Sequence, residues 1–255
     1  MKMFDYKGKV VVVSGASSGL GRYMAVAFAK QGADVAVSAR RFERLQSLAK
    51  ELESYGVRAL PVVCDVTSDE QITQAAEQVL ATFGKVDVLV NCAGSSKGGS
   101  VDTMTNEAWD FTVATDLTSV FKVSRAYLPA MIAKGYGRII NISSVYGLMG
   151  TSRGQAAYHA TKAGVISYTR AAAAELGSKG ITVNAICPGF FRTELTEGLF
   201  DTPEFQEQVK HIQPIARAGE GDELSAAAIF LGSEEASFVT GVALPVDGGW
   251  SSFKY

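Results

Sequence analysis

The chain predicts an α/β fold built on one doubly wound, seven-stranded parallel sheet, and three observations carry that reading. Short apolar runs recur along the 255 residues, with helix-length stretches between them. The runs are nearly all apolar rather than alternating, as strands buried on both faces are. The intervening stretches space their apolar residues by three and four, the period of a helix packed by one face. Strand followed by helix, repeated, specifies a parallel sheet covered on both sides.

The first strand falls at residues 9–14, and a glycine-rich turn leads from it into a helix at 20–31. Strands at 33–38 and 58–63 precede helices at 42–55 and 69–83. A fourth strand at 86–91 leads to one long helix at 107–134, and a fifth at 137–142 leads to a helix at 157–176. The sixth strand occupies 181–186, and a helix at 222–231 precedes the last strand at 242–246. Residues 188–219 break this rhythm with Phe190, Phe191, Phe200, Phe205 and Pro214. An excursion of this length in a compact domain usually covers a site, so it reads as a substrate lid, with a stabilising surface subdomain as the alternative. No linker, composition shift or internal repeat divides the chain, so residues 1–255 are expected to form one domain.

Composition narrows the function classes. Hydrophobic residues make up 47% and charged residues 20%, a balance that supports a large core. Lys plus Arg number 24 and Asp plus Glu 26, so the net charge of −2 offers no footprint for nucleic acid or an anionic membrane. No apolar run approaches the ~18 residues of a membrane span, and the start lacks the apolar stretch of a secretory signal, which points to the cytoplasm. Cys64, Cys92 and Cys187 form no CxxC pair and read as buried, reduced thiols. With His159 and His211 the only histidines, no metal site is expected.

Chemistry begins at Ser14-Gly15-Ala16-Ser17-Ser18-Gly19-Leu20-Gly21, a strand, a tight glycine turn and a helix start. Free backbone N–H groups and the positive end of the helix make such a turn an anion site, and glycines let it approach a pyrophosphate. A dinucleotide fits. The spacing is GxxxGxG, and a turn without a ligand is the bland alternative. The same residues satisfy the G-x-S-x-G of a hydrolase elbow, but an elbow on the first strand is out of place and few histidines are available as its base. Cofactor choice reads at the end of the second strand, in Ser38-Ala39-Arg40-Arg41. No carboxylate follows until Glu43, and Arg40, with Arg41 beside it, offers a guanidinium fork suited to a 2′-phosphate; this favours NADP over NAD.

Tyr158 and Lys162 stand one helical turn apart, so both lie on one face. An ammonium beside a phenol stabilises its phenolate, which suits the phenol to moving a proton to or from a carbonyl oxygen. Ser143 and Ser144 follow the fifth strand at its carboxyl end, where doubly wound sheets hold ligands, and a serine there can donate to a developing oxyanion.

With these residues assembled, the chain resembles the short-chain dehydrogenase/reductase family over essentially its whole length. The matching residues occur in family order: Ser14 to Gly21, Asp65-Val66, Asn91-Cys92-Ala93-Gly94, Ser144, Tyr158 with Lys162, Pro188-Gly189 with Thr193, and Val246-Asp247-Gly248-Gly249. The resemblance implies a Rossmann fold and a homotetramer, with a dimer as the alternative. It implies that Gly15, Ser17, Ser18, Gly19, Leu20 and Gly21 hold the pyrophosphate, and that Asp65 and Val66 face the adenine. Asn91, Ala93 and Gly94 would support the ribose side, with Pro188, Gly189 and Thr193 near the carboxamide. Tyr158 would be the acid/base, Ser144 would polarise the carbonyl, and Lys162 would tune Tyr158 and bond the nicotinamide ribose.

Two departures stand out. The family's active-site Asn falls on Asp116, whose carboxylate beside Lys162 would offset part of the ammonium's pull on Tyr158 and raise the pH optimum. The loop from Ser144 to Tyr158 also runs one residue longer than in many family members. The substrate stays open. Pro188 to Thr196 and the ending around Trp250 are similar to gluconate 5-dehydrogenase-like and 3-oxoacyl carrier-protein reductases. Arg153, Arg192 and His211 are candidates for a substrate carboxylate, as in a keto-sugar acid, while Phe190, Phe191 and Tyr146 could line a pocket for an acyl chain or steroid. A non-catalytic NADP-binding sensor is the reading from another class.

Overall fold

The computed structural model describes every residue except 1, 2, 153, 194, 195, 197, 199 and 253–255. Seven strands form one parallel sheet: β1 Val10–Ser14, β2 Asp34–Ala39, β3 Ala59–Val63, β4 Val88–Asn91, β5 Gly137–Ile142, β6 Ile181–Pro188 and β7 Ala243–Val246. Their order is β3-β2-β1-β4-β5-β6-β7, so connections leave in opposite directions from β1 and β4. The crevice above that reversal is where open α/β sheets bind ligands.

Among the described residues eight α-helices flank the sheet or lie in the excursion beside it: α1 Gly19–Lys30, α2 Phe42–Glu53, α3 Asp69–Phe83, α4 Asn106–Val113, α5 Ser119–Lys134, α6 Ala156–Leu176, α7 Pro203–Ile212 and α8 Gly221–Gly232. They divide the core into two halves. On one face Val11 and Val13 of β1 meet Met24 and Phe28 of α1, Leu45 of α2 and Leu224 of α8. On the other, Val12 of β1 meets Ile72 of α3, Met131 of α5 and Leu176 of α6. Alternate residues of one strand serving two cores explain its unbroken run of valines.

All seven predicted strands are present, with ends shifted by a residue or two. The single helix expected at 107–134 is a correction. α4 and α5 are joined by one π turn at Ala114–Thr118, an inserted residue's worth of slack in the helical ladder. It centres on Asp116. The 188–219 excursion contains α7 and its own small core of Phe200, Phe205, Val209 and Ala218, against which Phe190 packs. Its two ends are closed on each other where Phe191 pairs with Gly219.

Candidate active site

The glycine turn after β1 is shaped by close approach. Gly15 has φ +72°, and a Cβ there would lie 2.7 Å from the Ala93 Cα. A Cβ on Gly21 would lie 2.6 Å from the Gly15 carbonyl oxygen. Ser14 ties this turn to the end of β4, its Oγ accepting from the amides of Cys92 at 3.1 Å and Ala93 at 3.2 Å. Ser18 precedes α1 in extended conformation and caps nothing with its side chain, and Leu20 packs on the core. The turn is a concave, positively ended cradle that side chains have been kept out of.

At its rim Arg41 donates to Ser17 Oγ at 3.0 Å and to Ser18 Oγ at 2.7 Å. Arg40, which the sequence put first for a phosphate, acts on the Asp65 carboxylate through its charge. The amide and hydroxyl of Thr67, with Arg40 beyond them, hold the Asp65 carboxyl below the usual carboxylate range. Val66 is buried beside it. Thr193 reaches the turn from the lid, its Cγ2 lying 3.5 Å from where a Gly19 Cβ would be. At the end of β6, Gly189 donates its amide to Val246, with Asp247 so close that a Cβ on the glycine would clash.

Under the cradle runs a buried polar chain. Asn91 donates to Ser124 Oγ and to Asn141 Oδ1, each at 2.9 Å, and Asn141 donates to Thr169 Oγ1 at 2.9 Å. Asn91 Oδ1 and Thr115 Oγ1 are buried without a hydrogen-bond partner among the described residues.

Ser144, Tyr158, Lys162 and Asp116 converge beside this chain from three elements, Tyr158 and Lys162 both on α6. Ser144 is the N-cap of a 3₁₀ turn at Val145–Gly147, its Oγ accepting from the Tyr146 amide at 3.2 Å. That turn sits directly on α6: a Cβ on Gly147 would lie 2.7 Å from the Lys162 carbonyl. Ser143 donates to the same carbonyl at 2.8 Å. Tyr158 and Lys162 share a face of α6, with Nζ 5.3 Å from the phenol ring centroid. The ammonium donates to the Ile142 carbonyl at 3.2 Å and faces Asp116 Oδ2 at 3.3 Å. Among the described residues Oδ2 makes no other polar contact, so the ion pair with Lys162 is what holds it. Asp116 Oδ1 accepts from the Ser95 amide at 2.7 Å, close under Gly94.

Burial pulls the Lys162 ammonium down, but the Tyr158 oxygen and the Asp116 carboxylate outweigh it and hold it above an ordinary lysine. Burial pushes the thiols of Cys64 and Cys187 up to about 11 and that of Cys92 to about 12, so all three stay neutral. They are free thiols, and among the described residues no group of His, Cys, Asp and Glu could hold a metal.

The cations nominated for a substrate carboxylate are not gathered here. Arg192 is paired with Asp201 at 3.0 Å and Glu220 at 3.4 Å, and His211 with Glu207 at 3.1 Å. Arg153 lies outside the described residues. Rings are gathered instead. Tyr146 meets Tyr158 edge-on at 5.9 Å and Trp250 at 5.8 Å, and Trp250 stacks on Phe190 at 4.6 Å. The sequence names Asp247 without giving it a role; its carboxylate accepts from the amides of Gly249 and Ser251 and so sets the turn that carries Trp250. The Asp-Gly-Gly signal for that turn was available. A separate cavity of about 290 Å³ lies between the lid and β7, lined by Phe190, Gln213, Ile215 and Arg217 among others but by none of Ser144, Tyr158 and Lys162.

Residues 15–251 match the family model described as enoyl-(acyl carrier protein) reductase. The chain is 40% identical to the 3-oxoacyl-[acyl-carrier-protein] reductase FabG of Thermotoga maritima over 244 residues, 95% of this chain and 98% of that protein. It is 39% identical to the FabG of Escherichia coli over 96% of this chain and 98% of that protein. Its fold superposes on a gluconate 5-dehydrogenase from Burkholderia cenocepacia, solved in complex with NADP and tartrate, with a TM-score of 0.93, 35% identity and 98% of each chain covered. The glycine cradle at the sheet's topological reversal and these full-length likenesses agree: the chain belongs to the short-chain dehydrogenase/reductase family of oxidoreductases.

Proposed function

We propose that the protein is an NADP(H)-dependent carbonyl reductase, reversible as a secondary-alcohol dehydrogenase, with Tyr158 as its general acid and base. The convergence of Ser144, Tyr158 and Lys162 beside a cradle emptied of side chains carries the reading. The chain fits a dinucleotide: Gly15 and Gly21 let the backbone of the turn close up where a Cβ would collide with it, and among the described residues the buried Asn91 Oδ1 at the end of β4 has no hydrogen-bond partner. Gly15, Gly19, Gly21 and Ser17 would hold the pyrophosphate, Arg41 a 2′-phosphate, Asp65 and Val66 the adenine side, and Lys162 the nicotinamide ribose. The NADP bound by the Burkholderia relative supports the choice of cofactor.

The nicotinamide, when bound, supplies or accepts a hydride at the carbonyl carbon. The chain's own groups handle the proton and the charge. Ser144 Oγ donates to the carbonyl oxygen and polarises it, while its lone pair stays engaged by the Tyr146 amide. Tyr158 gives its hydroxyl proton to that oxygen as negative charge develops there, and the nearby Lys162 ammonium stabilises the phenolate left behind. Asp116 and the Ile142 carbonyl fix the ammonium in place.

For the substrate, the likeness to two FabG proteins and the rings of Tyr146, Trp250 and Phe190 favour a carbonyl with an apolar flank, such as a 3-oxoacyl thioester. A keto-sugar acid is the second reading, supported by the gluconate 5-dehydrogenase likeness. Assembly as a homotetramer in the cytoplasm completes the proposal; Trp109 of α4 and Phe121 and Ile132 of α5, all exposed, would be covered by a second subunit.

The test is NADPH oxidation, with NADH in parallel, against 3-oxoacyl thioesters, keto-sugar acids and ketosteroids, repeated with Tyr158→Phe. The expected result is turnover of one class, reduced about 10²-fold or more in the variant with NADPH affinity retained. NADPH binding without turnover of any class would move the reading to a binding role.

A further inference from the structure

A continuous column of rings joins the lid to the proton donor. Phe200 and Phe205, buried in the lid core, meet Phe190 at 6.0 and 5.0 Å. Phe190 stacks on Trp250 at 4.6 Å with planes 23° apart, Trp250 meets Tyr146 at 5.8 Å, and Tyr146 meets Tyr158 at 5.9 Å with planes at 82°. Edge-to-face and stacked pairs have preferred geometries, so each ring restricts the next beyond mere burial.

Tyr146 is the pivot of this column. Its amide donates to Ser144 Oγ, and its ring meets the edge of Tyr158. One residue therefore touches both groups proposed to meet the carbonyl oxygen. Its ring is held on the far side by His159, stacked at 4.6 Å and 11°. His159 is itself fixed at both nitrogens, Nδ1 with the Gln155 carbonyl at 2.8 Å and Nε2 with Thr151 Oγ1 at 3.2 Å. Trp250, 6% exposed, is fixed through the Asp247-capped turn. The half-buried Tyr158 phenol, by contrast, has no hydrogen-bond partner for its hydroxyl among the described residues, so its ring contacts are what orient it.

We propose that Tyr146 and Trp250 are positioning residues that couple the seating of the lid to the orientation of the Tyr158 hydroxyl. This rests on the reading of Tyr158 as the acid/base. Proton transfer tolerates little misplacement, so a loosened column should lower turnover rather than cofactor binding.

A double-mutant cycle tests it. Tyr146→Leu and Trp250→Leu should each lower kcat about tenfold with the KM for NADPH unchanged within about twofold. The double variant should fall no further than the worse single one, because a break at either link frees the same ring. Tyr146→Phe and Trp250→Phe, which keep the rings, should restore kcat to within about threefold of the parent. Phe190→Leu, one ring further from Tyr158, should give the same kcat loss, and it serves if a Trp250 variant fails to fold. Multiplying losses in the double variant, an unchanged kcat, or a change confined to the carbonyl substrate's KM would each overturn the coupling. Tyr158→Phe in the same assay separates the two readings. If it keeps the parent rate, the acid/base assignment itself fails; if it is inactive while the leucine variants run normally, only the coupling fails.

Discussion

The Lys162 ammonium lies 3.3 Å from the Asp116 carboxylate, with both side chains buried beside Tyr158. A carboxylate so close offsets part of the ammonium's field at the phenol oxygen while helping to keep the ammonium charged. Replacing Asp116 with Asn removes the offset, so a phenolate left at Tyr158 by proton transfer is better stabilised. The same change withdraws one of the groups that hold Lys162 above its ordinary value, so the ammonium discharges at lower pH. Both effects have one sign. The pH optimum of Asp116→Asn should move toward acid in either reaction direction, read from kcat/KM profiles; a profile superposable on the parent's would refute the role.

Cofactor choice should rest on Arg41. Its guanidinium already spans Ser17 and Ser18 at the rim of the cradle, where an added phosphate would meet both a fork of donors and a hydroxyl. Arg41→Ala should lower kcat/KM for NADPH by about ten- to a hundredfold, the worth of a charge-assisted bond, and leave that for NADH within about threefold. Arg40→Ala should do much less. Equal losses with the two cofactors would assign Arg41 to folding instead.

The cradle's glycines should differ in cost for a stated reason. Gly19 has φ +56° with room for a methyl group, so Gly19→Ala meets backbone strain of about 1 kcal/mol and little else. Gly15, at φ +72°, adds a collision with the Ala93 backbone at 2.7 Å, so Gly15→Ala should cost clearly more than Gly19→Ala in urea unfolding of the unliganded protein. The reverse order would show that the turn relaxes around the new methyl group.

These predictions draw on different depths of legibility. Strands such as β1, buried on both faces, announce themselves as apolar runs, and the order of Ser144, Tyr158 and Lys162 places them at carboxyl ends before any coordinates exist. The π turn at Ala114–Thr118 leaves no such mark. Its residues have ordinary helical spacing, and what selects the wider turn is the fit of Asp116 against Lys162 and the Ser95 amide, contacts from distant parts of the chain. Arg41 rather than Arg40 facing Ser17 is likewise a matter of where α2 begins, and neighbouring arginines cannot be told apart by type. Tyr146 reads in sequence as pocket lining; its bond to Ser144 exists only once the 3₁₀ turn has formed.

The opposite end of the sheet should govern acid stability. Asp87, fully buried just before β4, accepts from the Val10 amide at 2.7 Å, faces Lys85 at 3.1 Å and is bonded by Lys134 from the end of α5. Burial pushes its carboxyl up, but the Lys134 bond, the Val10 amide and Lys85 outweigh it and hold it below the usual range. A carboxyl lowered by folding contributes stability that is fully present above its unfolded value near 4 and is lost as pH falls through its folded one. Asp87→Ala leaves the buried Val10 amide and Lys134 without this acceptor and Lys85 with the Gly8 carbonyl alone, and should cost about 3 kcal/mol at neutral pH. The deficit relative to the parent should shrink as pH falls below about 4, where the parent loses the same interaction. Chemical denaturation at pH 7 and pH 3 measures both; a deficit that stays constant across that interval would mean that packing, not charge, is what Asp87 supplies.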